Sequence, residues 1–391
     1  MKILQINKFL YQRGGAETYL FALTKLLTEA GHEIIYFSQK NSKNIPNYQE
    51  KYFISDLDLS RFSFSTILRL GRIFWSFKAA KNLKKLINEE QPDLIHLHNI
   101  YHQLSPSIIA TAKSFGLPIV MTVHDFKLIT PNYTLRADQV NKKHKDSLLI
   151  DLLLKLEFAF HRAIKIYQQI DLFIAPSQFV KDKLIEHGYP ANKIIIIPHF
   201  IEMNNFSVQE TNDDYILAFG RLDESKGFAD LIKAINKLGD QAPLIKIAGT
   251  GPQKSQLQQL IKQFNLTKKI QLLGQKDKTE LTQLIANCKF VCLPTRVHET
   301  FSLAALESLA YGKPIIASRA GALPELITDK ENGLLIEPGN VDELANAIIK
   351  LQDNNLCHQL SLKAKESATN KKYSPQFHLQ SILKAYSLVK K

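Results

Sequence analysis

Short apolar runs rich in Ile, Val and Leu alternate along the chain with longer amphipathic segments. Brief continuous apolar runs are typical of parallel strands buried on both faces, and the longer segments are typical of the helices between them. In the first half the strand-like runs are Ile3–Asn7, Glu33–Ser38, Leu94–His98, Ile119–His124, Leu172–Pro176 and Ile194–Pro198. In the second half they are Tyr215–Gly220, Leu244–Gly249, Ile270–Gly274, Phe290–Pro294, Ile315–Ser318 and Leu334–Glu337. The pattern predicts an α/β fold in which a doubly wound, Rossmann-like domain occurs twice.

A polar segment without a clear period separates the two halves. It covers residues 199–214, and we interpret it as a linker. We therefore predict an N-terminal domain over residues 1–200, a C-terminal domain over residues 201–374 and a helical tail over residues 375–391. Ligands of doubly wound sheets bind beyond the C-terminal ends of the strands, so two such domains facing each other are expected to enclose a cleft.

The composition supports two cores and favours an anionic partner. The 391 residues are 45% hydrophobic, which is enough to build two well-packed domains. The formal charge is +13, and residues 1–200 carry 26 Lys and Arg against 17 Asp and Glu. A field of this sign suits nucleotides, phospholipid surfaces or acidic glycans. No basic helix or aromatic-rich RNA-binding signature points to nucleic acid.

Three further features favour the cytoplasm. The cysteines form no disulfide framework, the first residues are too polar for a secretory signal, and no apolar run approaches the roughly 20 residues that cross a bilayer. The aromatic and cationic stretch Arg61–Ile87 would suit a membrane surface only if its cations shared one face, and at about 100° per residue they scatter. We interpret it as core-facing helices with solvated lysines, and peripheral contact with the inner face of a membrane stays open.

The segment richest in chemistry is HETFSLAALE, residues 298–307, in which Glu299 and Glu307 flank an apolar run. If this run opens a helix, Glu299 precedes the helix N-terminus and Glu307 lies about two turns in. The free N–H groups of a helix N-terminus suit a phosphate, and carboxylates beside it can accept hydrogen bonds from sugar hydroxyls. The segment predicts a pocket for a ligand that is both phosphorylated and polyhydroxylated.

Three glycine-containing segments follow strand-like runs. Arg13-Gly14-Gly15-Ala16-Glu17 opens a helix after the first run, where its glycines let N–H groups approach an anion. Arg221 and Lys226 follow Gly220 in the second half and can both reach one diphosphate. Gly249-Thr250-Gly251 lacks the third glycine of a dinucleotide fingerprint, so it is weak evidence for NAD and is interpreted as a turn near a nucleotide base.

Histidines cluster near the ends of two strand-like runs. His124 ends one of them and is expected to point toward the cleft, and His96, His98 and His102 lie close together in sequence. No carboxylate or cysteine accompanies these three, so we do not expect a metal site. His98 is a candidate contact for an acceptor.

Taken in order, these segments resemble the retaining glycosyltransferases of family 4, which have the GT-B fold. The resemblance covers nearly the whole chain and is strongest over Tyr215–Pro338. It rests on Gly14-Gly15-Ala16-Glu17, the strand ending in His124, Ala175-Pro176-Ser177, Gly220-Arg221-Leu222, Lys226-Gly227, Gly249-Thr250-Gly251, the Glu299 and Glu307 pair, Gly312-Lys313-Pro314, Gly321 to Glu325 and Asn332-Gly333-Leu334-Leu335. It implies a donor bound mainly by the C-terminal domain, an acceptor bound by the N-terminal domain, and a final helix that crosses back to the N-terminal domain.

The resemblance also implies roles for individual residues. Arg221 and Lys226 would hold the diphosphate, and Glu307 would bind the ribose hydroxyls. Glu299 would bind the transferred sugar, and His124 would line the sugar site. Further donor contacts, mainly through backbone N–H groups, are implied for Gly14, Gly15, Gly220, Gly249, Thr300, Phe301, Ser302 and Leu303. Ser302 stands where many relatives have glycine.

The implied activity is retaining hexosyl transfer from a nucleoside-diphosphate sugar to a glycan or lipid-linked acceptor in cell-surface polysaccharide synthesis. A UDP-sugar is favoured, with UDP-glucose, UDP-GlcNAc, UDP-galactose and GDP-mannose all open. We expect no cofactor and no metal, because the cations and the helix N-terminus can balance the charge of the leaving diphosphate. Two other interpretations stay open, namely a catalytically silent homologue that binds nucleotide sugars and a two-domain protein that binds sugar without chemistry.

Overall fold

The computed structural model describes residues 1–55, 71–138, 148–202 and 214–390. Most of the predicted linker and the first ten residues of the aromatic and cationic stretch lie outside the described residues.

The chain divides into two compact units. The first contains Met1–Thr134, residues 148–199 and the final helix, and the second contains residues 135–138 and the chain from Phe200 to Ser374. The prediction that all of residues 1–200 belong to the first domain is therefore wrong for residues 135–138. These residues join the second unit through an antiparallel bridge between Arg136 and Val297. A segment of four residues has no distinctive composition, so the sequence did not reveal it. Its backbone pairing with Val297 assigns it to the second unit.

A six-stranded parallel sheet forms the centre of the first unit, in the order β2-β1-β3-β4-β5-β6. Its strands are β1 (Lys2–Ile6), β2 (Glu33–Phe37), β3 (Leu94–Leu97), β4 (Ile119–Thr122), β5 (Leu172–Ala175) and β6 (Ile194–Ile196). Among the described residues before residue 200, the helices are α1 (Gly15–Glu29), α2 (Gly71–Phe74), α3 (Phe77–Glu90), α4 (Ser107–Ser114), α5 (Leu148–Ala163) and α6 (Gln178–Glu186).

The second unit repeats this plan, with the strand order β12-β11-β10-β7-β8-β9. Its strands are β7 (Tyr215–Phe219), β8 (Leu244–Ala248), β9 (Ile270–Gly274), β10 (Phe290–Leu293), β11 (Ile315–Ser318) and β12 (Gly333–Ile336). Its helices are α7 (Phe228–Leu238), α8 (Lys254–Gln263), α9 (Lys278–Asn287), α10 (Leu303–Ala310), α11 (Leu323–Leu326), α12 (Val341–Gln352) and α13 (Asn354–Ala368), and the chain ends with α14 (Pro375–Val389) in the first unit.

All twelve predicted strands are present, with ends shifted by at most two residues. The prediction of two doubly wound α/β domains is confirmed. Strands β3, β4, β5, β7 and β11 are buried at every position, which explains why they appear as predominantly apolar runs without an alternation of apolar and polar residues. Most of the observed strands end one or two residues before the predicted end, where the chain continues into the loops beyond the sheet.

The strand order marks one position in each sheet where the winding reverses. In the second unit the chain moves outward from β7 through β8 to β9, and then from β10 through β11 to β12 on the other side. The loops after β7 and β10 therefore diverge and leave a crevice at the strand C-termini, which is where doubly wound folds bind ligands. In the first unit the same reversal lies between β1 and β3.

The described part of the aromatic and cationic stretch agrees with the core-helix interpretation. Ser76 caps α3 by accepting a hydrogen bond from the Ala79 N–H at 3.2 Å. Leu83 and Leu86 face the core, and Lys84 is exposed. In the described parts of the chain, no helix combines the length and the apolar content needed to cross a membrane.

Candidate functional site

The loop after β7 is the first component of the site. Asp223 accepts a hydrogen bond from the Ser225 N–H at 3.0 Å and so starts a single 3₁₀ turn over Glu224–Lys226. This turn fixes where the Lys226 side chain leaves the backbone, directly beyond the C-terminal end of β7. Short polar side chains such as Asp favour this kind of cap because they satisfy the free N–H groups of the turn.

Gly227 lets this loop approach the loop after β10. Its φ of +69° lies in the left-handed region, and a Cβ atom at this position would come within 1.9 Å of the Pro294 carbonyl oxygen. Only glycine satisfies both conditions at low cost. The Thr295 hydroxyl then donates to the Ser225 carbonyl at 2.9 Å and closes the junction between the two loops. The predictions for the site omitted Thr295, since a lone threonine gives no sequence signal.

Lys226 and Glu299 meet across this crevice. The Lys226 Nζ donates to the Glu299 Oε1 at 2.6 Å. Burial opposes the charge on the ammonium group, but the neighbouring Glu299 carboxylate outweighs burial, and the pKa of Lys226 is raised. Lys226 is therefore cationic at neutral pH. Both side chains line a cavity of about 110 Å³ together with Gly220 and Ser302.

Helix α10 points its N-terminus at the same cavity. Ser302 is the N-cap, and its hydroxyl accepts a hydrogen bond from the Ala305 N–H at 3.2 Å. The Ser302 side chain therefore points toward the first turn of α10, where its hydroxyl caps the helix. The helix begins at Leu303, and the neighbouring Thr300 and Phe301 are partly buried. The partial positive charge of the helix end is directed toward Lys226 and Glu299.

Glu307 lies on the second turn of α10, where the sequence predicts it. It is partly exposed, and among the described residues no side chain or backbone group forms a hydrogen bond with its carboxylate. Burial raises the pKa of Glu307, and Lys278 partly offsets this effect. A carboxylate in this state can accept hydrogen bonds from a hydroxylated ligand.

Arg221 is placed differently from Lys226. Its side chain is 64% exposed, and its Nε lies 3.5 Å from the Asp223 Oδ2. It does not line the cavity that contains Lys226 and Glu299. Of the two cations predicted to bind the diphosphate, only Lys226 lines the cavity in this conformation. The Arg221 guanidinium extends toward solvent from the surface of the loop.

The loop after β8 packs closely on the loop after β7. A Cβ atom on Gly249 would lie 1.9 Å from the Gly220 carbonyl oxygen, and φ of Gly249 is +143°. The Gly220 N–H donates to the Ala248 carbonyl at 3.0 Å. Gly249 thus brings two loop backbones together at the strand ends, and its predicted place near a nucleotide base stays a prediction.

The segment that carries Glu299 is held from two sides. The His298 Nδ1 accepts a hydrogen bond from the Gly321 N–H at 2.8 Å, and the Glu299 carbonyl accepts one from the Ala322 N–H at 2.9 Å. On the other side, the His298 N–H donates to the Leu135 carbonyl at 2.7 Å. Arg296 forms a bidentate ion pair with Asp230 at 2.5 Å for each contact. These hydrogen bonds and this ion pair were not predicted from the sequence, because they join segments that are distant in the chain.

In the first unit, Gly14 and Gly15 open α1, the first helix after β1, as predicted. Gly14 is the N-cap of α1, and both glycines are exposed. Behind them, the buried Glu17 accepts a hydrogen bond from the Asn7 side chain at 3.1 Å. Burial raises the pKa of Glu17, with Asn7 opposing the effect.

His98 does not occupy an acceptor pocket. It is fully buried, its Nε2 lies 2.6 Å from the Gln5 Oε1, and its Nδ1 lies 2.9 Å from the His124 Nε2. Both ring nitrogens are therefore engaged inside the unit, and the predicted direct contact between His98 and an acceptor is wrong. His124 is partly exposed at the end of β4, and His98 orients its ring. Burial lowers the pKa of His124 to about 3, so its ring is neutral at pH 7.

Within the ranges that the structure describes, no group of three or more His, Cys, Asp or Glu side chains is arranged to hold a metal ion. His96, within β3, and His98, just after it, stack on each other with ring centroids 4.4 Å apart. His96 bonds instead to Tyr386 and Thr122, each at 2.8 Å.

Comparison with known proteins agrees with this geometry. The chain matches the family model described as Glycosyltransferase Family 4 over residues 13–205 and the one described as Glycosyl transferases group 1 over residues 200–370. An uncharacterized glycosyltransferase of Methanocaldococcus jannaschii is 25% identical over 99% of this chain and 98% of its own length. The N-acetylgalactosamine-N,N'-diacetylbacillosaminyl-diphospho-undecaprenol 4-alpha-N-acetylgalactosaminyltransferase of Campylobacter jejuni is 27% identical over 93% of this chain and 94% of its own length.

The fold is also found among solved structures. The Anabaena protein HepE, in complex with UDP and glucose, superposes with a TM-score of 0.74 at 20% identity and covers 99% of this chain and 100% of its own. The two family models together extend from residue 13 to residue 370, which includes the crevice loops of the second sheet. The chain therefore belongs to the family 4 glycosyltransferases, which have the GT-B fold, and it is a glycosyltransferase.

Proposed function

We propose that this enzyme transfers a sugar from a nucleoside-diphosphate sugar, with a UDP-sugar favoured, to a glycan or lipid-linked acceptor. The transfer would retain the anomeric configuration and would need no metal. The observation that carries the proposal is the Lys226–Glu299 pair, joined at 2.6 Å beside the N-terminus of α10. A cation, a carboxylate and a helix N-terminus at the reversal of a doubly wound sheet suit a diphosphate joined to a sugar.

In this proposal Lys226 binds the diphosphate. Its ammonium group has three donors, and one of them is given to Glu299. The other two, with the backbone N–H groups at Thr300–Leu303, would take phosphate oxygens. Arg221 would have to turn from its exposed position toward the diphosphate, which a long and mobile side chain can do. Gly14 and Gly15, at the start of α1, are proposed as further N–H donors.

Glu299 and Glu307 are proposed to bind hydroxyl groups. Glu307 would accept hydrogen bonds from the ribose, because its carboxylate is unpaired among the described residues and partly exposed. Glu299 would orient the transferred sugar, and the neutral His124 would line the sugar site. The glycines at 220 and 249 would let the loops approach the nucleotide.

Bond cleavage leaves negative charge on the nucleoside diphosphate. Preorganised cations and N–H groups stabilise that charge more in the transition state than in the ground state, which lowers the barrier. The acceptor hydroxyl would then attack from the face that the diphosphate leaves. Glu299 is a poor covalent nucleophile in this arrangement, since the Lys226 ammonium group is bonded to its carboxylate. Isolation of a glycosyl adduct on Glu299 would contradict this mechanism.

Two relatives support the choice of substrates. HepE was crystallised with UDP and glucose, which favours UDP over GDP as the nucleotide. The Campylobacter enzyme is named for an acceptor joined through a diphosphate to undecaprenol, which supports a lipid-linked acceptor. We further propose that the product belongs to cell-surface polysaccharide synthesis.

The proposal is tested by incubating the purified enzyme with UDP- and GDP-sugars and measuring nucleotide release, with and without EDTA. We expect release from a UDP-sugar, unchanged by EDTA and decreased at least tenfold by Glu307→Ala. Analysis of the product by NMR would give the anomeric configuration. Binding of UDP-sugars without any release would instead support a silent homologue, and loss of activity in EDTA would refute the metal-free mechanism.

A further inference from the structure

Three backbone segments of the second unit are hydrogen-bonded in series next to the candidate site. The middle one is the loop after β10, in which the Arg296 N–H donates to the Ser225 carbonyl at 2.7 Å. The carbonyl of Arg296 accepts a hydrogen bond from the Ala137 N–H at 2.9 Å. Because Ser225 directly precedes Lys226, these bonds connect the segment 135–138 to the turn that carries Lys226.

The same segment also holds the backbone next to Glu299. The His298 N–H donates to the Leu135 carbonyl at 2.7 Å, and Arg136 forms the antiparallel bridge with Val297. Each side chain of the cation and carboxylate pair in the site is therefore one residue away from backbone that takes part in this network. A change in how the segment 135–138 is held should reach both of them.

Asp138 supplies the ionic contacts of this segment. Its two carboxylate oxygens accept from the Arg136 Nε at 2.8 Å and the Arg136 Nη2 at 2.7 Å. The Arg296 Nη1 lies 3.6 Å from the Asp138 Oδ2. The side chain of Asp138 is only 4% exposed, so water screens these contacts weakly. Asp138 thus joins a guanidinium of the segment to a guanidinium of the loop after β10.

Loss of this carboxylate would disturb the turn that carries Lys226. The guanidinium groups of Arg136 and Arg296 would then repel each other without the shared anion between them. The Arg136 Nη1 already lies 3.8 Å from the Glu224 Oε1, and Glu224 belongs to the same 3₁₀ turn as Lys226. Without Asp138, we expect Arg136 to move toward Glu224 and the segment to separate from the loop after β10.

We propose that Asp138 is a positioning residue for sugar transfer. It keeps the segment 135–138 bonded to the loop after β10, and this loop sets the positions of Lys226 and Glu299. Asp138 does not line the cavity of the site, so it acts through these two residues. This role rests on the proposed function, which assigns the two residues to the donor. A displacement of about 1 Å in such groups lowers a rate by about a hundredfold.

Two variants and a control test this role. Asp138→Asn removes the charge and keeps the shape of the side chain. Arg136→Gln is a milder second variant, because Asp138 keeps Arg296 as a neighbour, and it preserves the test if Asp138→Asn folds poorly. The control Asp171→Asn breaks a partly buried ion pair with Lys113 in the first unit. Urea denaturation measures the stability of all three.

We expect Asp138→Asn to lower the rate of sugar transfer by about tenfold, because the reacting groups are misplaced. Arg136→Gln should lower it in the same direction by a smaller factor. Asp171→Asn should leave the rate unchanged, whatever stability it loses. An equal rate loss in the control, or full activity in Asp138→Asn, would overturn the proposal.

A double-mutant cycle separates positioning from general stabilisation. Calorimetry measures the affinity for UDP, and for GDP in parallel, in the wild type, Asp138→Asn, Lys226→Met and the double variant. Asp138→Asn should weaken binding by about threefold in the wild-type background and leave it unchanged in the Lys226→Met background, because residues that act through one network are not additive. Equal losses in both backgrounds would refute action through Lys226. Wild-type protein that binds nucleotide without transferring sugar would refute the proposed function alone, since the cycle measures positioning without turnover.

Discussion

Lys226 illustrates how single residues control the site. Its ammonium group is partly buried, yet the bond with Glu299 keeps it charged, as its raised pKa indicates. A second pair of the same chemical type, Lys237 with Asp342, lies on the surface with 53% and 68% of the two side chains exposed. Exposed pairs contribute little because water screens them. Substituting each of these two lysines therefore distinguishes the role of Lys226 in the site from the general contribution of an ion pair.

We expect Lys226→Met to lower the rate of sugar transfer by about one to two decades. A hydrogen bond from a charged group to a charged ligand is worth about 1.5–3 kcal/mol, and a loss of that size in the transition state gives this rate change. Lys237→Met should leave the rate unchanged. Steady-state kinetics with the best donor measures both. An equal effect of the two substitutions would show that Lys226 has no special role.

Gly227 allows a second prediction at the residue scale. In Gly227→Ala the new Cβ would collide with the Pro294 carbonyl oxygen, whereas at Gly116, with a similar φ of +70°, it would meet no atom within 4 Å. We expect Gly116→Ala to cost about 1–2 kcal/mol from backbone strain alone. Gly227→Ala should cost more and should also lower donor affinity, because the loops after β7 and β10 must separate. Urea denaturation and UDP titration measure the two effects, and equal destabilisation by both substitutions would argue against the collision.

At the scale of elements, α14 is joined to the first sheet by buried histidines. His96 bonds to Tyr386 at 2.8 Å, and His378 bonds to Tyr19 at 3.0 Å and to the Pro198 carbonyl at 2.8 Å. Burial lowers the pKa of His96 to about 3 and that of His378 to about 4. These rings stay neutral in the folded unit at pH values where they would be protonated in the unfolded chain.

The first unit should therefore lose stability in acid. Below the unfolded pKa near 6.5, the unfolded state binds protons that the folded state does not, so the free energy of unfolding falls as the pH decreases toward the folded values of about 3 and 4. Each such histidine contributes up to about 1.4 kcal/mol per pH unit. The only tryptophan, Trp75, lies in this unit and reports its unfolding by fluorescence.

His96→Gln tests this pH dependence. Between pH 6 and pH 5 the variant should show a slope of unfolding free energy against pH that is smaller by about one proton. His358→Gln, on the exposed surface of α13, should keep the wild-type slope. The comparison uses slopes, so a general loss of stability in His96→Gln does not affect it. A slope equal to that of the wild type would show that His96 does not carry the proton linkage.

At the scale of the whole molecule, the chain ends in the unit where it began. Tyr386 and Ile382 on α14 are fully buried in the first unit, although more than 170 residues of the second unit precede them. The stability of the first unit thus depends on the last residues of the chain. This arrangement makes folding of the first unit a long-range event, since the closing contacts join residues nearly 300 apart, as for His96 and Tyr386.

We expect Tyr386→Ala to destabilise the first unit by about 3–5 kcal/mol, because a large buried side chain is lost and a cavity remains. Leu388→Ala, at a position that is 63% exposed, should cost less than about 0.5 kcal/mol. Hydrogen exchange measured by mass spectrometry would show faster exchange in β1, β3 and β4 of Tyr386→Ala and unchanged exchange in β7 and β8. Uniform acceleration in both sheets would contradict the assignment of α14 to the first unit.

The strands were predictable because their signal is local. A strand buried on both faces is expected to be predominantly apolar, and β7 and the first three residues of β11 meet this condition in sequence as they do in the fold. The position of Glu299 before α10 and of Glu307 on its second turn was predictable for a similar reason, as the N-cap and the apolar run lie within ten residues. The exposed position of Arg221 was not, since neighbours such as Asp223 set the direction of a long side chain.

The sequence by itself determined the two doubly wound domains, the order of their strands along the chain and the residues at the strand ends, since these follow from hydrophobic periodicity and turn chemistry. Only the tertiary structure decided that residues 135–138 join the second unit, that His98 is buried behind His124, and that Lys226 pairs with Glu299. Each of these depends on contacts between segments far apart in the chain. Local patterns limit which side chains can reach a crevice, and the packing of distant segments selects the ones that meet there.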